Sequence, residues 1–336
     1  MRKYKYILYT HLLSTILLFV SCEKVIDLRD SKANPVSVFN ELWSEIDKRY
    51  ALFSIKQVNW SLVYEQYNAK ISDQMSSREL FTEMTKMLET LKDGHVALIS
   101  ENDTSGYDNF YKLYPVNFNW LNIQKNYLKN DYKSTGPFIY KVVDNVGYIY
   151  YASFADDYRN EELDKMMEEL STTKGLIIDV RKNPGGKSYN VDRLAQKFIQ
   201  EKKLVKFELY KNGFGHNDFA EPKAYYLQPV QKPYLNPVIL LTNRSCYSAC
   251  NDFASYMSGL PNILLYGDQT GGGGAIPLDY VLANGWKIQY SASVTLSPDK
   301  VNIENGIIPD LNLFISSINE VNGIDPILER AFLTLK

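Results

Sequence analysis

Histidine and cysteine are scarce in this chain of 336 residues, with three of each. His11 and Cys22 fall within the first 22 residues, leaving His95, His216, Cys246 and Cys250 for the rest. So small a stock of imidazole and thiol ligands argues against a zinc site. Two cysteines are also too few for a disulfide scaffold. Cys246 and Cys250 stand four apart, a spacing that rarely suits a bridge within a helix, so they read as small buried residues. Charge of one sign is lacking as well. Lys and Arg number 37 against 39 Asp and Glu, a formal net charge of −2. No basic field therefore points to nucleic acid or to an anionic membrane surface. The apolar run Ile7 to Val20 is too short for a comfortable membrane span. There is no internal repeat and no low-complexity stretch.

What the first segment does contain is a targeting pattern. Arg2, Lys3 and Lys5 precede the apolar run, which ends in Leu18-Phe19-Val20-Ser21-Cys22. A small residue followed by cysteine resembles a bacterial lipoprotein cleavage box, with Phe19 where leucine is usual. On that reading residues 1–21 are removed, Cys22 is lipidated, and residues 22–35 form a linker. Several acyl chains would give stable anchoring, since one alone is marginal. The expected location is the bacterial cell envelope, on the periplasmic or outer-membrane face.

After the linker the texture is helical. Val38, Phe39, Leu42, Trp43, Ile46 and Tyr50 share one helical face, and Trp60, Val63, Tyr64 and Tyr67 another. Ser76 and Glu79 form a capping box before Leu80, Phe81, Met84, Met87, Leu88 and Leu91. A helical subdomain is expected over 36–95. From there to 336 the pattern changes to strands and single helices. Val146–Phe154, Leu176–Val180, Val238–Leu241 and Ile263–Tyr266 read as strands, the last three short and buried. Helices are expected over Asn160–Leu170, through Leu194 and Phe198, and from about Ser248. Buried strand, turn and helix in repetition argue an α/β core. The 26 tyrosines fit strands and half-buried positions.

Three strand ends carry chemistry. Arg181-Lys182-Asn183-Pro184-Gly185-Gly186 follows the first buried strand. Glycines there let the backbone approach a ligand and free N–H groups for an oxyanion, although a glycine pair alone more often marks a tight turn. Thr242 to Cys250 follows the second. Ser248 at a helix start would sit beside the Ala249 N–H, the arrangement of an activated serine, yet a serine there more often merely caps the helix. Gly271 to Gly274 follows the third and lacks the Gly-Lys-Ser/Thr ending of a phosphate loop.

Taken together these segments resemble a known family. Gly175 to Gly186 is similar to the strand-and-glycine motif of the tail-specific (C-terminal processing) and tricorn-core serine peptidases. Thr242–Ala249 resembles their nucleophile segment, Leu91-Lys92-Asp93-Gly94-His95 the motif closing their helical subdomain, and Ile303 to Asp310 their late Glu-x-Gly-Ile-x-Pro-Asp motif. The resemblance implies a ClpP/crotonase-like α/β core behind an N-terminal helical bundle. It implies Ser248 as nucleophile, His95 as general base, Glu304 orienting it directly or through a polar bridge, and Gly186 and Ala249 N–H groups as oxyanion donors. Tyr247, Gly185, Gly271 and Gly272 are candidates for a substrate pocket. The glycine run holds no lysine and the next is Lys287, which disfavours the serine–lysine dyad of tail-specific members and favours the Ser/His/Glu branch. Tricorn-core enzymes carry a further catalytic serine just before the histidine, where this chain has Gly94.

Only about 50 residues separate His95 from the strand at Val146, whereas a PDZ module needs roughly 80–90 in addition to core strands. None is expected. No metal or organic cofactor is needed, because side chains supply nucleophile and base. The implied substrate is an unfolded protein or short peptide outside the cytoplasm. The alternative is a catalytically reduced lipoprotein that binds peptides or other ligands in the same cleft.

Overall fold

The computed structural model describes residues 33–336; Cys22 and the leader lie outside the described residues. Helix α1 (Pro35–Arg49) starts where Asn34 accepts from the Ser37 N–H, with Pro35 in the first turn, where its missing N–H costs nothing. Helices α2 (Phe53–Lys56) and α3 (Trp60–Asn68) follow. Helix α4 (Ser77–Glu89) begins at the reciprocal capping box of Ser76 and Glu79.

The remaining elements run β1 (Ala97–Ile99), α5 (Asn109–Lys112), α6 (Trp120–Asn122, continuing as a π turn), β2 (Lys133–Thr135), β3 (Phe138–Val143) and β4 (Val146–Tyr151). Then come α7 (Asn160–Leu170), β5 (Gly175–Asp179), α8 (Ser188–Ala195), β6 (Lys203–Tyr210) and β7 (Lys223–Leu227). The chain ends with β8 (Val238–Thr242), α9 (Ala249–Ser258), β9 (Ile263–Gly267), β10 (Pro277–Val281), β11 (Lys287–Ser291), β12 (Ser293–Leu296), β13 (Leu311–Asn312), α10 (Ser317–Val321) and α11 (Pro326–Leu335).

A seven-stranded sheet in the order β13-β9-β8-β5-β4-β3-β2 is the backbone of the molecule. The run from β13 to β4 is parallel, and β3 and β2 close the far edge antiparallel. Its central strands are buried on both faces, as their unbroken apolar sequences require. Leu176, Ile178, Val238 and Leu240 face a core shared with α7, α8 and α9. Ile177, Ile239 and Leu241 face the opposite core, sealed by Ile327, Leu328 and Ala331 of α11. Each such side chain removed from water stabilises the fold by about 1.5–3 kcal/mol.

Two small antiparallel sheets, β1-β11-β10 and β12-β6-β7, lie outside the central one. The helical segment does not keep its core to itself. Phe39, Leu42, Ile46, Trp60, Met84 and Met87 pack in one cluster with Leu98, Ile288 and Tyr290 of the first small sheet. Residues 96–145 supply β1, two short helices, the edge strand β2 and its neighbour β3. Parallel strands leave their carboxyl ends at one rim of the sheet, where an open α/β sheet forms its crevice. The turns after β5, β8 and β9 meet there.

Candidate active site

Strand β8 is wholly buried and delivers a turn at Asn243–Tyr247. Ser248 then adopts φ 55° and ψ −123°. That region is uncommon for a residue with a Cβ, costs about 1–3 kcal/mol, and persists only where surrounding structure enforces it. The Ser248 N–H donates to Gly272 O at 2.9 Å, which holds the elbow. Although Ser248 occupies the cap position of α9, its hydroxyl makes no capping bond. The Oγ lies instead 3.0 Å from His95 Nε2. The commoner use of a helix-start serine is thereby excluded at this position.

The glycine turn after β5 lies alongside. Asn183, fully buried, donates to Tyr151 O and accepts from Gly185 N and Phe154 N, which fixes the turn from inside. Gly185 has φ 95°, and a Cβ there would come 2.8 Å from Ala249 N and 2.9 Å from the Ser248 Cβ. Gly186 has φ 139°, and a Cβ there would overlap the Ala155 backbone. Both positions thus require glycine. Among the described residues the Gly186 and Ala249 amides donate to no other group, and Gly185 brings this turn against Ala249 N.

His95 is 8 % exposed. Burial holds its pKa below the usual imidazole value; Asp93 acts to raise it and Lys56 to lower it further. Burial thus favours the neutral imidazole, the form able to accept a proton. The His95 backbone N–H donates to Asp93 Oδ1 at 2.8 Å, while its Nδ1 is buried without a hydrogen-bond partner among the described residues. Glu304 and His95 are not hydrogen-bonded. Glu304 Oε1 sits 2.8 Å from Lys56 Nζ, and its Oε2 has no hydrogen-bond partner among the described residues. Burial, then the Asp93 charge, push the Glu304 carboxyl up to about 7 against the opposing pull of Lys56.

Asp93 is the hub of this polar group. Its Oδ2 accepts from Tyr50 and Ser291 hydroxyls at 3.0 and 2.7 Å, and its Oδ1 faces the Tyr247 hydroxyl at 3.5 Å. Lys56, Tyr50, Ser291 and Asp93 were not among the site residues expected from sequence. Asp93 stood inside a recognisable motif, and its place beside His95 was the available signal. Lys56 and Ser291 carried none.

The pocket candidates are packed rather than open. Tyr247 is buried, stacked on Phe110 at 4.2 Å between centroids. A Cβ on Gly271 would strike the Phe110 ring and Arg244 O, and one on Gly272 would strike Glu304 O. Gly94 is equally enclosed: a Cβ there would lie 2.6 Å from Phe110 and 2.9 Å from the Tyr247 hydroxyl.

Cys246 and Cys250 depart from what their spacing suggests, because they form a disulfide. The helix begins only at Ala249, so the pair is not within a helix. The Ser248 elbow folds Cys246 back to a Cα separation of 5.2 Å, within bridging range. Among the described residues no cluster of three or more His, Cys, Asp or Glu is placed to hold a metal. No helix there is long and apolar enough to cross a membrane.

Comparisons with known proteins converge on one family. The model of Peptidase family S41 matches residues 145–313, and that of the Tricorn protease C1 domain matches residues 31–89. A carboxy-terminal processing protease, CtpA of Bacillus subtilis, is 26% identical over 157 residues, 46% of this chain and 32% of its own. The aligned region thus spans about a third of that relative. A solved structure of a candidate peptidase from Parabacteroides merdae is 43% identical and covers 90% of this chain and 96% of its own, with a TM-score of 0.86. Mature CPAF in complex with lactacystin shares the fold at 11% identity and a TM-score of 0.68, over 90% of this chain and 97% of its own. With half the sequence inside the family model and a 43%-identical structure matched nearly end to end, the chain belongs to peptidase family S41.

Proposed function

We propose that this protein is a serine peptidase in which Ser248 is the nucleophile and His95 the general base. The observation that carries the reading is the 3.0 Å approach of His95 Nε2 to Ser248 Oγ, on an elbow where the serine does not cap its helix. His95 takes the hydroxyl proton as Ser248 attacks a peptide carbonyl, then returns it to the leaving amine. The Gly186 and Ala249 amides receive the oxyanion. One such donor contributes about 10²–10³ in turnover. Glu304 acts through charge: paired with Lys56 beside Asp93, it balances a cation that would otherwise disfavour the imidazolium formed in the reaction.

The substrates are unfolded proteins or short peptides met outside the cytoplasm. The enzyme is held at the cell envelope by a lipid on Cys22. The relatives named as carboxy-terminal processing proteases support the substrate class, and the leader pattern supports the location.

The test is covalent labelling by a fluorophosphonate. Wild type should react and Ser248→Ala should not, with hydrolysis of a casein-type unfolded substrate lost in parallel. Folded wild type that resists labelling would refute the activated serine. The unpartnered Nδ1 of His95 is what favours the alternative, a protein that binds peptides without cleaving them. Tight peptide binding without labelling would establish that alternative.

A further inference from the structure

His95 must present Nε2 to Ser248, yet among the described residues no acceptor holds the ring from the other side, since Nδ1 is buried and unbonded. Something else must orient it. Its backbone is tied to Asp93 Oδ1, but a backbone bond leaves the imidazole free to turn about its side-chain torsions. The ring that packs on it is Tyr247, 4.9 Å away between centroids and tilted by 56°.

Tyr247 is held unusually hard. Phe110 stacks on the ring at 4.2 Å. Gly273 is in contact with it so closely that a Cβ would overlap the aromatic carbons. Gly94 lies at the hydroxyl end, leaving 2.9 Å to a virtual Cβ. The hydroxyl points at Asp93 Oδ1 at 3.5 Å, the oxygen that also accepts from the His95 backbone. Two glycines without side chains and one stacked ring therefore make the slot that Tyr247 fills. A larger residue at Gly94 would collide with both aromatic rings. In addition, Tyr247 immediately precedes Ser248, so one short segment carries the nucleophile and the wall against its base.

We propose that Tyr247 is the positioning residue for His95, its clamped ring fixing the imidazole by packing where a bond to Nδ1 is missing. The proposal rests on His95 being the base of the reading above. The ring acts through His95 and touches no reacting atom. Its grip has two consequences: it sets the direction of Nε2, and it shields the imidazole from water. The charged and titratable groups around His95 are Asp93 on its own loop, Lys56 of α2, Ser248 and Tyr247 of the elbow, and Glu304 behind Lys56. Losing the shield moves the imidazole toward its ordinary titration range, that is, upward.

The test compares Tyr247→Leu, Tyr247→Phe and Phe110→Ala in the full chain. His95 and His216 are the only histidines beyond the leader, so the imidazole NMR signals are few, and His216→Gln assigns them. In Tyr247→Leu the His95 midpoint should rise by about 0.5 pH or more. Turnover should fall by at least about tenfold, with KM within about twofold, because a misplacement of 1 Å can cost about 10²-fold. Tyr247→Phe keeps the ring and should stay within about threefold of wild type on the same reasoning. Phe110→Ala loosens the slot without emptying it and should fall between, which keeps the test open if Tyr247→Leu does not fold. An unmoved His95 titration in Tyr247→Leu or Phe110→Ala would overturn the proposal. So would a Tyr247→Phe variant as impaired as Tyr247→Leu, which would place the role in the hydroxyl. The titration is read without any turnover. A wild type that cleaves nothing would therefore refute the peptidase reading while leaving this inference to be judged by the imidazole alone.

Discussion

A lysine 2.8 Å from Glu304 changes what that carboxylate does. In the resemblance Glu304 orients the histidine, but here it neutralises Lys56, and Lys56 in turn depresses the basicity of His95. As the proposed base, His95 must be neutral to act, so activity should fall as pH drops through its pKa, which lies below the ordinary imidazole value chiefly because of burial. In Lys56→Met the cation is gone. Glu304, already pushed up to about 7, loses the group that lowers it and stays protonated over a wider range, so no new anion replaces the balance. The His95 pKa rises, and the acid limb of kcat/KM moves to higher pH. At pH 6 the variant should be less active than wild type, by no more than about fourfold because burial still holds the imidazole below its ordinary value, with near-equal activity on the alkaline plateau. A limb that stays in place would show that Lys56 has no hold on the base.

Ser248 and His95 were legible because each lies in a motif whose spacing is local. Lys56 was not, since a lysine ending a four-residue helix reads as a solvated side chain. Only the fold, which brings α2 against the 303–306 turn, reveals its partner. The same holds for Ser291 and Tyr50, whose hydroxyls reach Asp93 across 198 and 43 residues of sequence.

At the scale of elements, the central parallel strands could be read from sequence because burial on both faces leaves only apolar residues. The small outer sheets could not. Strand β10 is mostly exposed, so it lacks both the apolar run and a clean alternation. The elbow between β8 and α9 was legible as a strand end but not as a disulfide, because a spacing of four suggests that Cys246 and Cys250 share a helix. In the fold the bridge closes a loop of five residues, both cysteines included, around Tyr247, Ser248 and Ala249. Chain-entropy reasoning gives such a loop about 2 kcal/mol. The double variant Cys246→Ser, Cys250→Ser should lose that amount in urea unfolding, and dithiothreitol should cost wild type the same while leaving the variant unchanged. A variant as stable as wild type under oxidising conditions would mean that the two thiols remain reduced.

On the scale of the whole molecule, one buried cation joins the parts that the active site needs in register. Arg181 is fully buried at the end of β5. It makes paired bonds to Asp179 at 2.9 and 2.6 Å, reaches Asp325 at 2.9 Å, and donates to Asn117 O at 3.2 Å. Asp325 caps α11 by accepting from the Ile327 and Leu328 N–H groups. Tyr148 of β4 donates to Asp179 at 3.0 Å. Two strands, the loop at residue 117 and the last helix are therefore tied at a point two residues before the Asn183 turn. A buried ion group of this kind adds little over an apolar replacement, yet removing one member leaves the others uncompensated. Arg181→Met should lower unfolding free energy by about 3–5 kcal/mol. If the loss comes from stranded carboxylates, the triple variant Asp179→Asn, Arg181→Met, Asp325→Asn should regain most of it, because neither acid then remains charged. Urea midpoints for the two variants decide the point. A triple variant as unstable as the single one would show instead that the guanidinium's bonds, above all the one to Asn117 O, hold α11 and the sheet together.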